Sequence, residues 1–171
     1  VLIKNAEALE RMEKVDTLVV DKTGTLTEGR PSVVDIEVAD GFEESDLLRI
    51  AASLERSSEH PLAAAIVRAA EDRNLVLVEP SGVDQPVGKG IVGVIDDQAI
   101  VLGNAGFLEE YDVDPGGLAE VADRLRADGA TAIYIAVNGK AAGVIAIADP
   151  IKETTGEALA ALREAGIKVI M

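Results

Sequence analysis

The chain has 171 residues, 48% of them hydrophobic, and a formal net charge of −15, which provides enough apolar content for the core of one or two small domains. So acidic a chain repels nucleic acid backbones and anionic membrane surfaces, and no basic block offsets the charge, so nucleic acid is not expected as a partner. The absence of cysteine and the single histidine argue against disulfides and soft-metal sites, and no apolar run reaches the ~18 residues of a membrane span.

The first predicted elements are a helix over residues 5–14 and a strand over residues 17–20. Ala6, Leu9 and either Met12 or Glu13 recur at helical spacing in the first segment. The second segment is a short, wholly apolar and β-branched run, which is typical of a buried parallel strand. The residue after the strand therefore lies at its carboxyl end, where open α/β sheets hold their ligands.

A seven-residue motif, Asp-Lys-Thr-Gly-Thr-Leu-Thr, runs from Asp21 to Thr27 directly after that strand. A carboxylate in this place is suited to attack phosphorus, because in-line attack on the γ-phosphoryl group of ATP requires a positioned oxygen, Mg²⁺ and nearby donors. Lys22, Thr23 and the two residues after them supply such groups. Seven specified positions rarely occur together by chance, so the motif favours a functional role over a simple polar turn.

Residues 33–147 predict an antiparallel sheet flanked by helices. The pairs Asp96-Asp97 and Asn138-Gly139 indicate two β-hairpins, and Ser45 and Pro61 mark helix starts. The predicted strands include residues 33–38, 91–95, 99–102, 133–137 and 141–147. The predicted helix faces are Leu47, Leu48, Ala51 and Leu54; Leu62, Ala65, Ile66 and Ala69; and Leu118, Val121, Ala122 and Leu125.

A helix and a strand are predicted at the end of the chain. Thr154 or Thr155 is suited to cap the helix, Gly166 is suited to stop it, and residues 167–171 form an apolar strand. The apolar face of this helix consists of Ala158, Leu159 and Leu162. Because the chain begins with valine and ends directly after this strand, we expect it to be a fragment of a larger protein.

A helix followed by an apolar strand at both ends suggests one parallel α/β unit split by an insertion. Turn residues that include a proline occur at residues 28–32 and 148–152 and mark the hinges. The predicted division is therefore residues 1–32 and 148–171 for the split unit and residues 33–147 for the insertion.

The motif at Asp21 resembles the phosphorylation signature of the P-type ATPases, membrane pumps that form an aspartyl phosphate during transport. The resemblance implies that Asp21 accepts the phosphoryl group, that Lys22 and Thr23 assist, and that Asp21 and Thr23 bind Mg²⁺. Related phosphatases of the same fold carry a second Asp two residues after the nucleophile. Thr23 stands there instead, so we expect a covalent phosphate to persist.

The resemblance also implies a fold class. It is α/β, with a truncated, split, Rossmann-like phosphorylation domain of the haloacid dehalogenase-like type. Inserted into this domain is an α+β nucleotide-binding domain with an antiparallel sheet.

Three segments of the insertion resemble, in order, the adenine-nucleotide site of the heavy-metal-transporting P-type ATPases. They are residues 55–61, with a His-Pro pair after a Glu five residues earlier, residues 88–93 and residues 103–104. The cofactors implied are ATP and Mg²⁺, and the residues implied to bind nucleotide are Glu55, His60, Gly88, Gly90, Gly103 and Asn104.

The resemblance assigns a role to most of these residues. Glu55 would contact the adenine amino group, and His60 would orient or stack near the purine. Gly88 and Gly90 would let the phosphates and ribose approach the backbone. Asn104 would hydrogen-bond the nucleotide or brace the loop.

Each segment also has a simpler structural explanation. A histidine before proline at a helix start is often a cap, and Gly103-Asn104 would ordinarily be a strand exit followed by a helix cap. The pattern Gly-x-Gly-x-x-Gly at residues 88–93 precedes a strand rather than opening a helix, so it does not indicate a dinucleotide fold. The joint occurrence of these segments after the Asp21 motif favours nucleotide binding.

The resemblance covers the whole chain and implies the cytoplasmic, ATP-binding part of a membrane-embedded heavy-metal exporter whose membrane helices lie outside this sequence. The Gly103-Asn104 pair and the Asp149-Pro form, in the return hinge at residues 149–152, favour the copper(I) group over the zinc, cadmium and lead group. The family places further Mg²⁺-binding carboxylates beyond Met171. We therefore expect this fragment to bind ATP without turning it over, and to self-associate through its last strand.

Two other functions are compatible with the residues. One is a soluble phosphohydrolase that uses Asp21, and the other is a non-catalytic module that binds nucleotide only.

Overall fold

The computed structural model describes residues 14–58 and 60–171, and the chain divides into two compact units. The first unit combines the residues up to Arg30 with Asp149–Met171, and the second comprises Pro31–Ala148. The predicted helix over residues 5–14 lies outside the described residues, except for Lys14. Within the described part of the chain, no helix is both long and apolar enough to cross a bilayer.

The described residues form eight strands and five α-helices. The strands are β1 (Thr17–Val19), β2 (Ser32–Val38), β3 (Ser81–Asp84), β4 (Gly90–Ile95), β5 (Gln98–Gly103), β6 (Thr131–Val137), β7 (Lys140–Ala148) and β8 (Lys168–Ile170). The helices are α1 (Glu44–Glu55), α2 (Pro61–Asp72), α3 (Ala105–Glu109), α4 (Leu118–Ala127) and α5 (Thr155–Glu164).

The second unit is a six-stranded antiparallel sheet, in the order β2-β7-β6-β5-β4-β3, with helices on both faces. Ile135 and Ile145 of the central strands pack in one cluster with α1 and α2, whereas Tyr134 and Val144 pack in another with α3 and α4. Alternate residues of β6 and β7 thus enter two separate cores, which explains their almost uninterrupted apolar sequence. The predicted α/β class and the antiparallel sheet flanked by helices are confirmed.

Both predicted hairpins are present. Asp96 and Asp97 have positive φ angles of 49° and 60°, and Asn138 and Gly139 have φ angles of 49° and 74°. Two consecutive left-handed residues match the right-handed twist of the strands they connect. The Asn138 side chain also accepts a hydrogen bond from the backbone nitrogen of Ala99 at 2.9 Å, which ties the second hairpin to β5.

The first unit contains a parallel pair of strands, β1 and β8, and the helix α5 before β8. The strand predicted at residues 17–20 is present, but the prediction that it is buried is wrong, because Val19 is 75% exposed. The described sheet of this unit has two strands, so most of the surface of β1 is accessible to solvent. Apolar sequence alone does not distinguish a covered strand from one that lacks neighbours.

The helix α5 also differs from its prediction in detail. Gly166 follows it with a φ of 76°, as expected for a helix stop, but Ala158 is exposed, while Leu159 and Leu162 are half-buried. Thr154 makes no side-chain cap, and the Thr155 hydroxyl instead donates to the carbonyl of Leu26 at 2.6 Å. Threonine at this end therefore links α5 to the chain after Asp21.

The second unit differs from the sequence predictions in one helix boundary, in the buried face of one helix and in one additional strand. Ser45 was expected to precede α1 and lies inside its first turn, because the helix begins at Glu44. On α2 the fully buried residues are Ala63, Ala65, Ile66 and Ala70, while the predicted Leu62 and Ala69 are half-buried. Strand β3 was not predicted, because all four of its residues are exposed and so it has no apolar period.

We expect Gly143→Ala to destabilise the second unit, because a Cβ there would lie 2.6 Å from the carbonyl oxygen of Glu37 and 2.8 Å from Leu47 Cδ1. Overpacking a core costs about 1 to 3 kcal/mol. Urea denaturation measures the loss. Gly117→Ala, which meets open space at an ordinary helical φ of −61°, is the control and should change the unfolding free energy by less than about 0.5 kcal/mol. Equal effects of the two variants would contradict this account.

Candidate functional site

A cleft of about 550 Å³ opens in the second unit at one end of its sheet. The start of β4, the end of β5 and the start of β6 form its floor, and the end of α1 and the start of α2 form a wall. We call it the Glu55 cleft. It is lined by Glu55, His60, Leu62, Gln85, Pro86, Val87, Gly88, Lys89, Gly90, Leu102, Gly103, Asn104, Thr131, Ala132 and Ile133. All six residues predicted to bind nucleotide are thus brought to a single cleft, and their contacts with a ligand stay a prediction.

Glu55 is the last residue of α1, and it is only 9% exposed. Its Oε2 atom is buried and has no hydrogen-bond partner among the described residues. Burial raises the pKa of this carboxyl above its ordinary value of 4.5, while a hydrogen bond from Ser58 and the charge of His60 act in the opposite direction. A buried acceptor without a donor destabilises the fold, so this oxygen is available to a ligand that brings an N–H group.

His60 caps α2: its Nδ1 atom accepts a hydrogen bond from the backbone nitrogen of Leu62 at 3.2 Å, and Pro61 occupies the first turn. Because Nδ1 is the acceptor, the neutral ring carries its proton on Nε2. The ring is exposed and borders the Glu55 cleft. The capping role and a ligand-binding role are therefore compatible.

Glycine is required at three positions of the cleft for different structural reasons. Gly90 and Gly103 are directly paired across β4 and β5, and Phe107 of α3 packs against both. A Cβ at Gly90 would lie within 2.5 Å of Phe107 Cδ1, and one at Gly103 within 2.6 Å of the same atom. Gly88, in contrast, meets open space and has a φ of 76°. The fold itself thus requires Gly90 and Gly103, whereas Gly88 is required by its backbone conformation.

Asn104 follows β5 and caps α3, because its Oδ1 atom accepts a hydrogen bond from the backbone nitrogen of Phe107 at 2.9 Å. Its own backbone nitrogen donates to the carbonyl of Lys89 at 3.3 Å. Of the two roles expected for Asn104, bracing of the loop is present in the structure, and contact with a nucleotide stays a prediction.

Several lining residues were not identified from the sequence. Gln85 and Val87 come from the loop between β3 and β4, and Thr131 and Ile133 come from β6. Lys89 also lines the cleft, and it forms an ion pair with Glu110 at 2.7 Å. Lys89 stands between Gly88 and Gly90, so the glycine motif itself indicated this position as part of the site.

Asp21 lies in the first unit, two residues after the end of β1, and it is exposed. The following turn spans Lys22–Leu26, and Gly24 within it has a φ of 76°. The buried hydroxyl of Thr27 holds this turn, because it accepts from the backbone nitrogen of Gly24 at 3.0 Å and lies 3.1 Å from the carbonyl of Lys22. The last residue of the motif thus fixes the backbone of the residues before it.

The hinge at residues 149–152 completes this support. Asp149 accepts hydrogen bonds from the hydroxyl of Thr27 and from the backbone nitrogen of Arg30, and the Thr27 hydroxyl is the largest cause that lowers the pKa of the Asp149 carboxyl. Lys152 donates to the carbonyls of Gly24 and Thr25 at 2.8 and 3.2 Å. Sequence reasoning did not identify these contacts, which join residues more than one hundred positions apart.

The turn after Asp21 offers oxygen ligands of the kind that Mg²⁺ takes, namely the carboxylate of Asp21 and the oxygens of Thr23. The described residues contain no group of three or more acidic, histidine or cysteine side chains that could hold a metal. The oxygens of Asp21 and Thr23 are compatible with Mg²⁺, which usually binds through one or two carboxylates, water and substrate phosphates, and their binding of the ion stays a prediction.

Known proteins match this chain over all or nearly all of its length. A family profile described as haloacid dehalogenase-like hydrolase matches residues 15–171. A copper-transporting P-type ATPase of Rhizobium leguminosarum bv. viciae is 50% identical over 171 residues, which is all of this chain and 20% of that protein. The chain thus spans about a fifth of the length of the curated relatives it matches.

Two solved structures are similar as well. A zinc-transporting PIB-type ATPase in the E2.Pi state is 33% identical, with a TM-score of 0.89, and the match covers 99% of this chain and 27% of that one. The catalytic domain of the CPx-ATPase CopB-B, described in relation to conformational changes upon nucleotide binding, is 27% identical, with a TM-score of 0.67. That match covers 98% of this chain and 57% of the other.

We expect Glu55→Gln to stabilise the second unit increasingly as the pH rises. Because the folded-state pKa of Glu55 is raised, this group favours folding most below its unfolded pKa, and that contribution is lost as the pH passes the folded pKa. The variant should match the wild type at about pH 4.5 and exceed it at about pH 8 by about 1 to 3 kcal/mol, because the ionised carboxylate is buried with an unpaired charged oxygen and the neutral amide carries no charge.

Urea denaturation across that pH range measures the effect. Glu71→Gln, which changes an exposed carboxylate of α2, is the control. Stability curves of wild type and Glu55→Gln that run parallel at all pH values would show that the carboxylate is not strained by burial.

Proposed function

The chain belongs to the haloacid dehalogenase-like hydrolase family, and within that family we propose that it is the ATP-binding and phosphorylation segment of a heavy-metal-exporting P-type ATPase. In this proposal the first unit is the phosphorylation domain and the second unit is the nucleotide-binding domain inserted into it. The segment would face the cytoplasm, and membrane helices elsewhere in the parent protein would carry the ion.

The unpartnered carboxylate oxygen of Glu55 supports the nucleotide assignment most directly. Adenine carries an exocyclic amino group and an apolar ring, so it requires an apolar cleft with a few fixed polar groups. The Glu55 cleft offers a buried acceptor at Glu55 and an apolar lining that includes Leu62, Leu102 and Ile133. An adenine amino group that donates to Glu55 Oε2 would satisfy the one buried side-chain oxygen that has no hydrogen-bond partner among the described residues.

The chemistry assigned to Asp21 is transfer of the γ-phosphoryl group. One carboxylate oxygen attacks phosphorus in line, the bond to the β–γ bridging oxygen breaks, and ADP leaves with that oxygen's electron pair. The product is an aspartyl phosphate. Thr23 has no carboxyl group with which to activate a water molecule, and so the intermediate persists long enough to drive transport rather than being hydrolysed at once.

Magnesium would be held by Asp21 and Thr23 with phosphate oxygens of the nucleotide, and it supplies neutralisation of the charge on the transferred group. Lys152 and Thr27 contribute differently, because their hydrogen bonds hold the backbone of the turn on which Thr23 and Gly24 lie. The cargo that we propose is monovalent copper, on the basis of the 50% identity to the copper-transporting relative.

We expect His60→Asn to weaken ATP binding about tenfold without unfolding the protein. Asparagine is a good helix N-cap and replaces the acceptor that Nδ1 offers to Leu62, while the ring that would contact the purine is lost. A lost polar contact costs about 1 to 3 kcal/mol, or about tenfold or more in affinity. Calorimetric titration with ATP measures the affinity, and thermal denaturation checks the cap. Unchanged affinity with an intact cap would limit His60 to a structural role.

We expect Asp21→Asn to leave the ATP affinity of this chain within about twofold of wild type, because Asp21 and the Glu55 cleft belong to different compact units. In the intact parent protein the same change should abolish acid-stable labelling from γ-labelled ATP. A large loss of affinity in a folded variant would contradict the assignment of the adenine site. Persistent Mg²⁺-dependent labelling would contradict the assignment of the acceptor.

A further inference from the structure

The Glu55 cleft has an unusual charge balance for a site that would receive a triphosphate. The chain has 16 basic and 31 acidic residues, so an anion that approaches it meets a repulsive field. Among the described residues that line the cleft, Lys89 is the one lysine or arginine. Among the lysine and arginine side chains that line this cleft, the charge that attracts phosphate therefore comes from a single ammonium group.

Glu110 engages that ammonium group. Lys89 Nζ lies 2.7 Å from Oε1 and 3.0 Å from Oε2 of Glu110, and each side chain is 49% exposed. An exposed ion pair of this kind is weak, because water screens both charges and two long side chains must be ordered to form it. A polyphosphate, which offers several charged acceptor oxygens, is a stronger partner for an ammonium group than one carboxylate.

The packing of α3 sets the position of Glu110. Phe107 packs against Gly90 and Gly103, and Asn104 caps the helix, so the residue at its end is placed beside the loop that carries Lys89. The backbone of Lys89 is fixed too, because its carbonyl accepts a hydrogen bond from Asn104. The two charged groups meet because both of their backbones are held by the same glycine pair and cap.

We propose that Lys89 selects for the phosphates of the nucleotide, and that Glu110 restrains it by forming the ion pair that the phosphates must displace. The proposal rests on the nucleotide function proposed for the Glu55 cleft. Adenosine would bind without disturbing the pair, whereas ATP would exchange Glu110 for its own oxygens at Lys89. Glu110 thus lowers the affinity for ATP in particular and keeps a weak but exchangeable site.

The test is calorimetric titration of the 171-residue chain with ATP and with adenosine. Lys89→Gln should weaken ATP binding about tenfold, the effect of losing one charge-assisted contact, and change adenosine binding less than about twofold. Lys89→Arg, which keeps the charge, should bind ATP within about threefold of wild type. An equal loss for ATP and adenosine, or no loss for either, would overturn the role of Lys89.

Glu110→Gln should strengthen ATP binding about threefold, and the gain should vanish when Lys89→Gln is also present. Glu109→Gln, which removes the same charge from the adjacent exposed position, is the matched control. An equal gain from both Glu variants, or a gain that persists without Lys89, would reduce the effect to net charge and overturn the role of Glu110. Wild type that binds neither ATP nor adenosine would instead contradict the proposed function, and this inference with it.

Discussion

The close approach of Gly90 and Gly103 across β4 and β5 is the constraint on which the arrangement of the Glu55 cleft depends. No side chain larger than hydrogen fits at either position, because Phe107 occupies the space above them. That contact seats α3 on the sheet, brings Asn104 beside the loop after β3, and places Glu110 within reach of Lys89. A packing requirement of the core and the polar features of the cleft thus have one cause.

Much of this fold could be predicted because its signals are local. Asn138-Gly139 and Asp96-Asp97 tolerate the left-handed backbone that tight hairpins require, and the helix faces follow from the spacing of small apolar residues. Strand β3 had no such signal, since its side chains are all exposed. Strand β1 has the apolar signal and is nevertheless exposed, because an apolar run does not reveal how many neighbouring strands cover it.

The candidate sites likewise combine features that short motifs predict with features that only the folded structure shows. Glu55, His60 and the glycines follow from short motifs, and the structure adds what those motifs cannot show, which is that the Oε2 atom of Glu55 is buried and has no donor among the described residues. The contacts of Thr27 with Asp149 and of Lys152 with Gly24 join distant parts of the chain through its long insertion. A sequence motif identifies the residues at such contacts but not which residues contact each other, because that depends on where the chain returns after β7.

The two candidate sites also differ in how completely the protein's own hydrogen bonds support them. At Asp21 the support is complete: the turn is held by Thr27, Asp149 and Lys152, so the carboxylate stands on an ordered backbone although its own side chain is exposed. At the Glu55 cleft the support is incomplete, because the buried Oε2 atom of Glu55 has no donor among the described residues and Lys89 forms only an exposed ion pair. A ligand that supplies one donor and several anionic oxygens satisfies both groups, so binding recovers free energy that the empty fold leaves unused. The first unit thus holds a fixed backbone around Asp21, and the second unit presents polar groups that a ligand would complete, which are the two properties that the proposed phosphoryl transfer and nucleotide binding require.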